Sequence, residues 1–98
     1  MTVQIDPEGI EPKYLQQFAE FDRRRVLEVG CGDGRLTWRY ARRAGRVAGI
    51  DMHRDDLRVA LIERPADLAT TVHFTSADAV RLPFSAQTFD LAIFAWSF

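Results

Sequence analysis

The stretch VLEVGCGDG spans residues 26–34, an apolar run that ends with glycine at 30, 32 and 34. Each glycine costs backbone entropy, and a purely structural strand-to-helix turn does not need that cost three times. The run also carries a carboxylate, Glu28, two residues before the first glycine. A backbone bare of side chains at alternate positions, beside an acid, is one that something approaches closely.

Outward from this stretch the chain alternates between two periodicities. Residues 11–21, EPKYLQQFAEF, place Tyr14, Leu15, Phe18 and Phe21 at helical spacing, with Pro12 suited to a first turn. RVLEVG (25–30) reads as a strand. GRLTWRYARRAG (34–45) reads as a helix with Leu36, Tyr40, Ala41 and Ala44 on one face and Gly45 as its stop. RVAGID (46–51) is a second strand, and the next helix runs from Asp55 to Glu63 with Leu57, Ala60 and Leu61 inward and Pro65 closing it. VHFTSA (72–77) and FDLAIFAW (89–96) are a third and a fourth strand. Strands separated by helices imply parallel pairing through crossovers. The expected fold is α/β, a Rossmann-like parallel sheet flanked by helices.

Composition sets outer limits. The 98 residues allow one small domain, and 47% hydrophobic with 28% charged content describes a globular chain. A net charge of −1 gives no electrostatic case for nucleic acid or an anionic membrane. The arginines at 23–25, 42, 43 and 46 read as a solvated rim. A single cysteine, Cys31, excludes an internal disulfide and fits a reducing compartment. No stretch has the length of a membrane span, and MTVQIDPEG lacks the layout of a signal peptide. The expectation is a soluble, cytoplasmic chain.

In an open parallel sheet, ligands bind past the carboxyl ends of the strands. All four strand ends here carry something unusual: Glu28 and the glycines, then Asp51 and Met52, then Asp78 and Ala79, then Phe94 and Ala95. The glycine pattern is E-x-G-x-G-x-G. Arg35 stands where the dinucleotide fingerprint requires its third glycine, so the pyrophosphate signature is broken. What remains is an approachable loop leading into a helix whose free N–H groups favour a carboxylate. Asp51 lies 21 residues past Gly30, where an acid accepts hydrogen bonds from ribose hydroxyls. A nucleoside with a zwitterionic tail and no pyrophosphate satisfies both halves, and S-adenosylmethionine is such a molecule.

Taken with SADAVRLPFSAQTFDLAIFAWSF (76–98), residues 26–51 resemble the class I S-adenosylmethionine-dependent methyltransferases, nearest to the ubiquinone and menaquinone biosynthesis branch. The resemblance covers residues 25–98 and implies a partial methyltransferase domain, the N-terminal cofactor-binding half, with strand order 3-2-1-4. It also implies that the family sheet continues beyond the four strands seen here. By resemblance, Gly30, Cys31, Gly32 and Gly34 lie along the methionine end of the cofactor, and Glu28 holds its amino group through water. Asp51 takes the ribose diol, Met52 packs on adenine, and Asp78 beside Ala79 accepts from the adenine amino group. Phe94 and Ala95 border the methionyl chain. The methyl acceptor is a small molecule, and no residue is assigned as general base or metal ligand.

Other readings stand beside these. Cys31 reads as a small residue that fits between glycines, not as a nucleophile, and His53 and His73 have no metal-ligand spacing. Trp38 is expected to cover a neighbouring helix. The family commonly has serine where this chain has His53, so Asp55 or Asp56 is expected to cap the following helix. A non-catalytic or self-associating module, or a nicotinamide-dependent oxidoreductase, are the alternative functions. The fourth strand is expected to be an open apolar edge, exposing Phe89, Leu91, Ile93, Phe94, Trp96 and Phe98 and pairing a homodimer.

Overall fold

The computed structural model describes the backbone of Thr2–Asp6, and residues 21–78, 81 and 88–95. Five strands form one sheet: β1 (Thr2–Asp6), β2 (Arg25–Val29), β3 (Arg46–Asp51), β4 (Val72–Ser76) and β5 (Leu91–Ala95). Between them lie a single helical turn, α1 (Thr37–Tyr40), a longer helix, α2 (Arg54–Glu63), and a 3-10 turn at Ala66–Leu68. The expected helix at 11–21 falls outside the described residues except for Phe21, which is fully buried.

The sheet order is β1-β5-β2-β3-β4, and every neighbouring pair is parallel. The four strands expected from sequence are β2 to β5, and their order is the anticipated 3-2-1-4. One strand was not anticipated. Residues 2–6, TVQID, alternate β-branched and polar types, and they pair along β5 with Thr2 opposite Leu91 and Asp6 opposite Ala95. This corrects the expected open edge: β5 lies inside the sheet, between β1 and β2. Leu91, Ile93 and Phe89 are buried and Phe94 is half-buried. Trp96 and Phe98 lie outside the described residues. The argument for a dimer through the fourth strand loses its physical basis, because the edge it invoked is paired.

Two apolar layers sandwich the sheet. On one face Val26, Val47, Val72, Leu91 and Ile93 pack beneath Tyr40 and Ala41, with Phe21 edge-on to Tyr40 at 4.9 Å between ring centroids. On the other, Leu27, Ile50, Phe89 and Ala92 form a second cluster. Neighbouring residues of one strand fall on opposite faces, as a strand's period of two requires. Glu28 therefore shares the Val26 face, under α1. The register of β2 on β5 is pinned at its start. Asp90 accepts from the Arg25 backbone N–H and guanidinium, while its own N–H donates to the Arg25 carbonyl. That guanidinium pulls the Asp90 carboxyl down to about 2.

Three local expectations are corrected. The helix expected over 34–45 reduces to Thr37–Tyr40, because Arg39 and Arg43 donate to carbonyls only three residues back, which tightens the flanking turns. In α2, Leu57 and Ala60 face the sheet while Leu61 is exposed, so the buried stripe follows the three-residue step. Neither Asp55 nor Asp56 caps α2. His53 occupies the cap position without a side-chain bond, and both acids sit in the first turn, where they favour the positive end of the helix dipole.

Deleting Thr2–Asp6 should leave β5 as a bare edge. The expected outcome is a lower melting temperature and concentration-dependent self-association, read by sedimentation velocity, that the intact chain lacks.

Candidate functional site

The carboxyl ends of β2 and β3 are knotted together by backbone hydrogen bonds. Gly30 and Cys31 both donate to the Ile50 carbonyl, at 2.8 and 3.1 Å. One residue further, the Gly32 N–H donates to Asp51 Oδ2 at 2.8 Å. Asp51 Oδ1 accepts from the His53 N–H at 2.8 Å, and its backbone carbonyl accepts from Ala77 at the end of β4. His53 Nδ1 lies 3.2 Å from the same Oδ1. Asp51 thus joins three strand ends while 11% of its side chain stays exposed, enough for a polar ligand atom to reach it.

Gly30, Gly32 and Gly34 all have positive φ, the conformation for which a side chain is strained. At Gly32 (φ +55°) a Cβ would meet nothing within 4 Å. The loop is open above that residue. At Gly34 (φ +90°) a Cβ would come within 2.6 Å of the Trp38 ring, so glycine there is required by packing. Trp38 stands edge-on to Phe74 of β4, with centroids 5.7 Å apart. This corrects its expected contact with a helix: it packs between the loop and the sheet. The expected anion site at a helix N-terminus is also altered. The α-helix begins only at Thr37, and the Arg35 N–H is taken by Asp33 Oδ1 at 3.2 Å.

Glu28 is 0% exposed. Its Oε1 accepts two hydroxyl donors from α1, Thr37 Oγ1 at 2.9 Å and the Tyr40 phenol. Its Oε2 is buried with no partner among the described residues. Burial pushes the carboxyl up to about 7 against the pull of the two hydroxyls, and the Asp51 charge adds to the rise. Sequence reasoning found Glu28 but missed Thr37 and Tyr40. The signal was present: a buried carboxylate needs donors, and hydroxyl residues three apart lie on one side of a helix. Cys31 is buried, and burial with the Glu28 and Asp51 charges drives its thiol well above its ordinary range, which disfavours the thiolate a nucleophile needs.

The remaining anticipated residues spread along the same edge. Met52, next to Asp51, is 68% exposed. Asp78 follows β4 half-buried and bridges to Arg81. Phe94 and Ala95 end β5, half-buried and buried. Ala79 lies outside the described residues. Among the described residues no three of His, Cys, Asp and Glu gather as a metal would need, and no helix is long and apolar enough to cross a membrane.

A parallel sheet with a glycine loop, an acid tied to that loop and further polar strand ends defines a Rossmann-like fold of the nucleoside-binding kind. The chain belongs to the methyltransferase domain family, which matches it over residues 26–98. It is 36% identical over 70 residues to a ubiquinone biosynthesis O-methyltransferase of Hydrogenovibrio crunogenus, covering 71% of this chain and 28% of that protein. A methyltransferase of Thiobacillus denitrificans, solved with S-adenosyl-L-homocysteine, superposes with TM-score 0.67 at 26% identity, covering 87% of this chain and 36% of that one. The [4+2]-cyclase SpnF superposes with TM-score 0.68 at 30% identity, covering 82% of this chain and 32% of that one. The chain spans under a third of the length of the curated relative it matches.

The buried Glu28 predicts an inverted pH dependence of stability. Its folded value lies above the ordinary 4.5, so its contribution is complete below about 4.5 and is lost as pH rises through about 7. The loss is on the order of 3 kcal/mol. Asp90 acts in a separate window, between its lowered value of about 2 and its ordinary 3.8. Urea unfolding at pH 5 and pH 8 should show the loss in the native sequence and its near absence in Glu28→Gln.

Proposed function

We propose that this chain is the cofactor-binding half of an S-adenosylmethionine-dependent methyltransferase acting on a small-molecule acceptor. The observation that carries the reading is the tie between Gly32 and Asp51. It sets an open, side-chain-free loop against a carboxylate that remains partly exposed. A nucleoside with an amino-acid tail needs both at once. The residues present fit that group: Asp51 offers acceptors to the ribose diol, and Met52 offers an exposed apolar surface beside it for the base. Glu28 offers a buried counter-charge below the loop for the ammonium. Asp78 and Ala79 serve the adenine edge, and Gly30, Cys31, Gly34, Phe94 and Ala95 border the methionyl chain.

When bound, the cofactor supplies a methyl group on a positive sulfur, already activated for displacement. The chain's own task is then positional. The Ile50 carbonyl and Asp51 fix the loop, the apolar end of β5 keeps water from the tail, and donor and acceptor are held in line. The fourth strand carries no dimer in this proposal, since β1 fills its edge.

Calorimetric titration with S-adenosylhomocysteine tests the reading, with NADH as the control for an oxidoreductase. Binding of the former alone is expected. Asp51→Ala should weaken it by about 1–3 kcal/mol through the unpaired ribose hydroxyls. Equal affinity in that variant would remove Asp51 from the site.

A further inference from the structure

We propose that Thr37 and Tyr40 are positioning residues that hold Glu28 by one oxygen, so that seating the cofactor's ammonium exchanges a proton on Glu28 for the ligand's cation. The inference rests on the cofactor reading above and goes beyond it. It names how the site is held and what leaves when the ligand arrives.

The geometry is one-sided. Both hydroxyls of α1 bond Oε1, and Oε2 lies buried and bare among the described residues. A carboxylate with one bare oxygen in a water-poor interior has two ways to avoid the cost of its charge. It can carry a proton on that oxygen, or it can face a cation. None of the ion pairs among the described residues involves Glu28. Among the described residues, the groups around it are of one sign or neutral. The phenol of Tyr40 comes from α1, the carboxylate of Asp51 from β3 and the thiol of Cys31 from the loop, while Gly49 and Ile93 flank it in register. Burial holds both the phenol and the thiol protonated. Asp51 is the one formal charge in that set, and it favours the proton on Glu28.

The ligand-free state near neutrality is therefore a mixture of protonated and ionised Glu28, poised by burial at about 7. An ammonium brought over the loop, which begins two residues later at Gly30, favours the ionised form. The Glu28 carboxylic acid releases its proton to solvent, and the freed oxygen faces the ammonium directly or across one water. No covalent bond of the ligand changes. Thr37 and Tyr40 act by holding the acid down: each hydroxyl stabilises the carboxylate and pulls its proton affinity toward the working range.

The test is calorimetry of the full chain with S-adenosylhomocysteine from about pH 5.5 to about 8, in two buffers of different ionisation heat. Affinity should rise about tenfold per pH unit and level off above about 7, with about half a proton released per ligand near the midpoint. An analogue lacking the α-amino group should bind with neither the slope nor the proton release. Tyr40→Phe should move the midpoint upward, a shift that a loss of mere packing would not produce. Thr37→Val gives the same readout should Tyr40→Phe fail to fold. Binding with a flat pH profile, an equal slope for the amino-free analogue, or an unmoved midpoint in the folded variants would each overturn the exchange while leaving the cofactor reading intact. Failure to bind S-adenosylhomocysteine at any pH would overturn that reading, and the exchange with it.

Discussion

The parallel register of β2 on β3 is the constraint from which the site follows. With Glu28 opposite Gly49 and Val29 opposite Ile50, the loop leaving β2 reaches the end of β3 just where Ile50 and Asp51 present their oxygens. Slipping that register by one residue would turn Glu28 to the other face of the sheet and carry Gly32 away from Asp51. Loop shape, placement of the acid and burial of Glu28 are thus one geometric fact seen from three residues. The Arg25–Asp90 pair at the opposite end of β2 from the glycine loop helps fix the register against β5. Because that pair is half exposed, its value lies in specifying alignment more than in net stability.

Glu28 is a polar residue placed where its burial is costly. Its face of the sheet is otherwise apolar, built from Val26, Val47, Val72 and Ile93. A leucine there would serve the core better, since burying a carboxylate opposes folding. Two hydroxyls from one helical turn offset part of that cost, and α1 is short because its flanking turns tighten around them. In the proposed exchange a cation completes the arrangement. Asp51 stands in contrast: it is partly exposed and already accepts from Gly32 and His53, so it offers charge without a large burial cost.

Much of this was legible in the chain. Hydrophobic runs and their breaks located β2, β3 and β5, because a strand buried on both faces leaves a compact apolar signature; β4 was found as well, although it is an edge strand with only Val72 buried. The acids at 28, 51 and 78 stood out as charges in apolar surroundings. Less was legible where several weak signals compete. TVQID has the period of a strand, but nothing in five residues says which edge it joins, and pairing with β5 is a long-range event. The shortening of α1 follows from turn bonds that helical spacing does not encode. Leu61 and Ala60 fit an inward stripe equally well in sequence, and only packing against the sheet chose between them. The hydroxyls on Glu28 were hidden because Tyr40 also reads as an ordinary core aromatic.

The division of labour within the fold explains why the cofactor is easier to read here than the acceptor. What converges at the strand ends suits the proposed molecule lying along the sheet edge: a bare loop, three acids, and the apolar end of β5. On the proposed reading these groups orient a donor and shelter it, and the one thiol among them, Cys31, is held protonated by burial. A half of this kind is compatible with more than one reaction, since proteins described as O-methyltransferases and as a [4+2]-cyclase share it with this chain. Reaction choice therefore has to come from groups that face the acceptor. Those groups need not share any constraint with the β2–β3 register, which is why the register can persist while the chemistry above it changes.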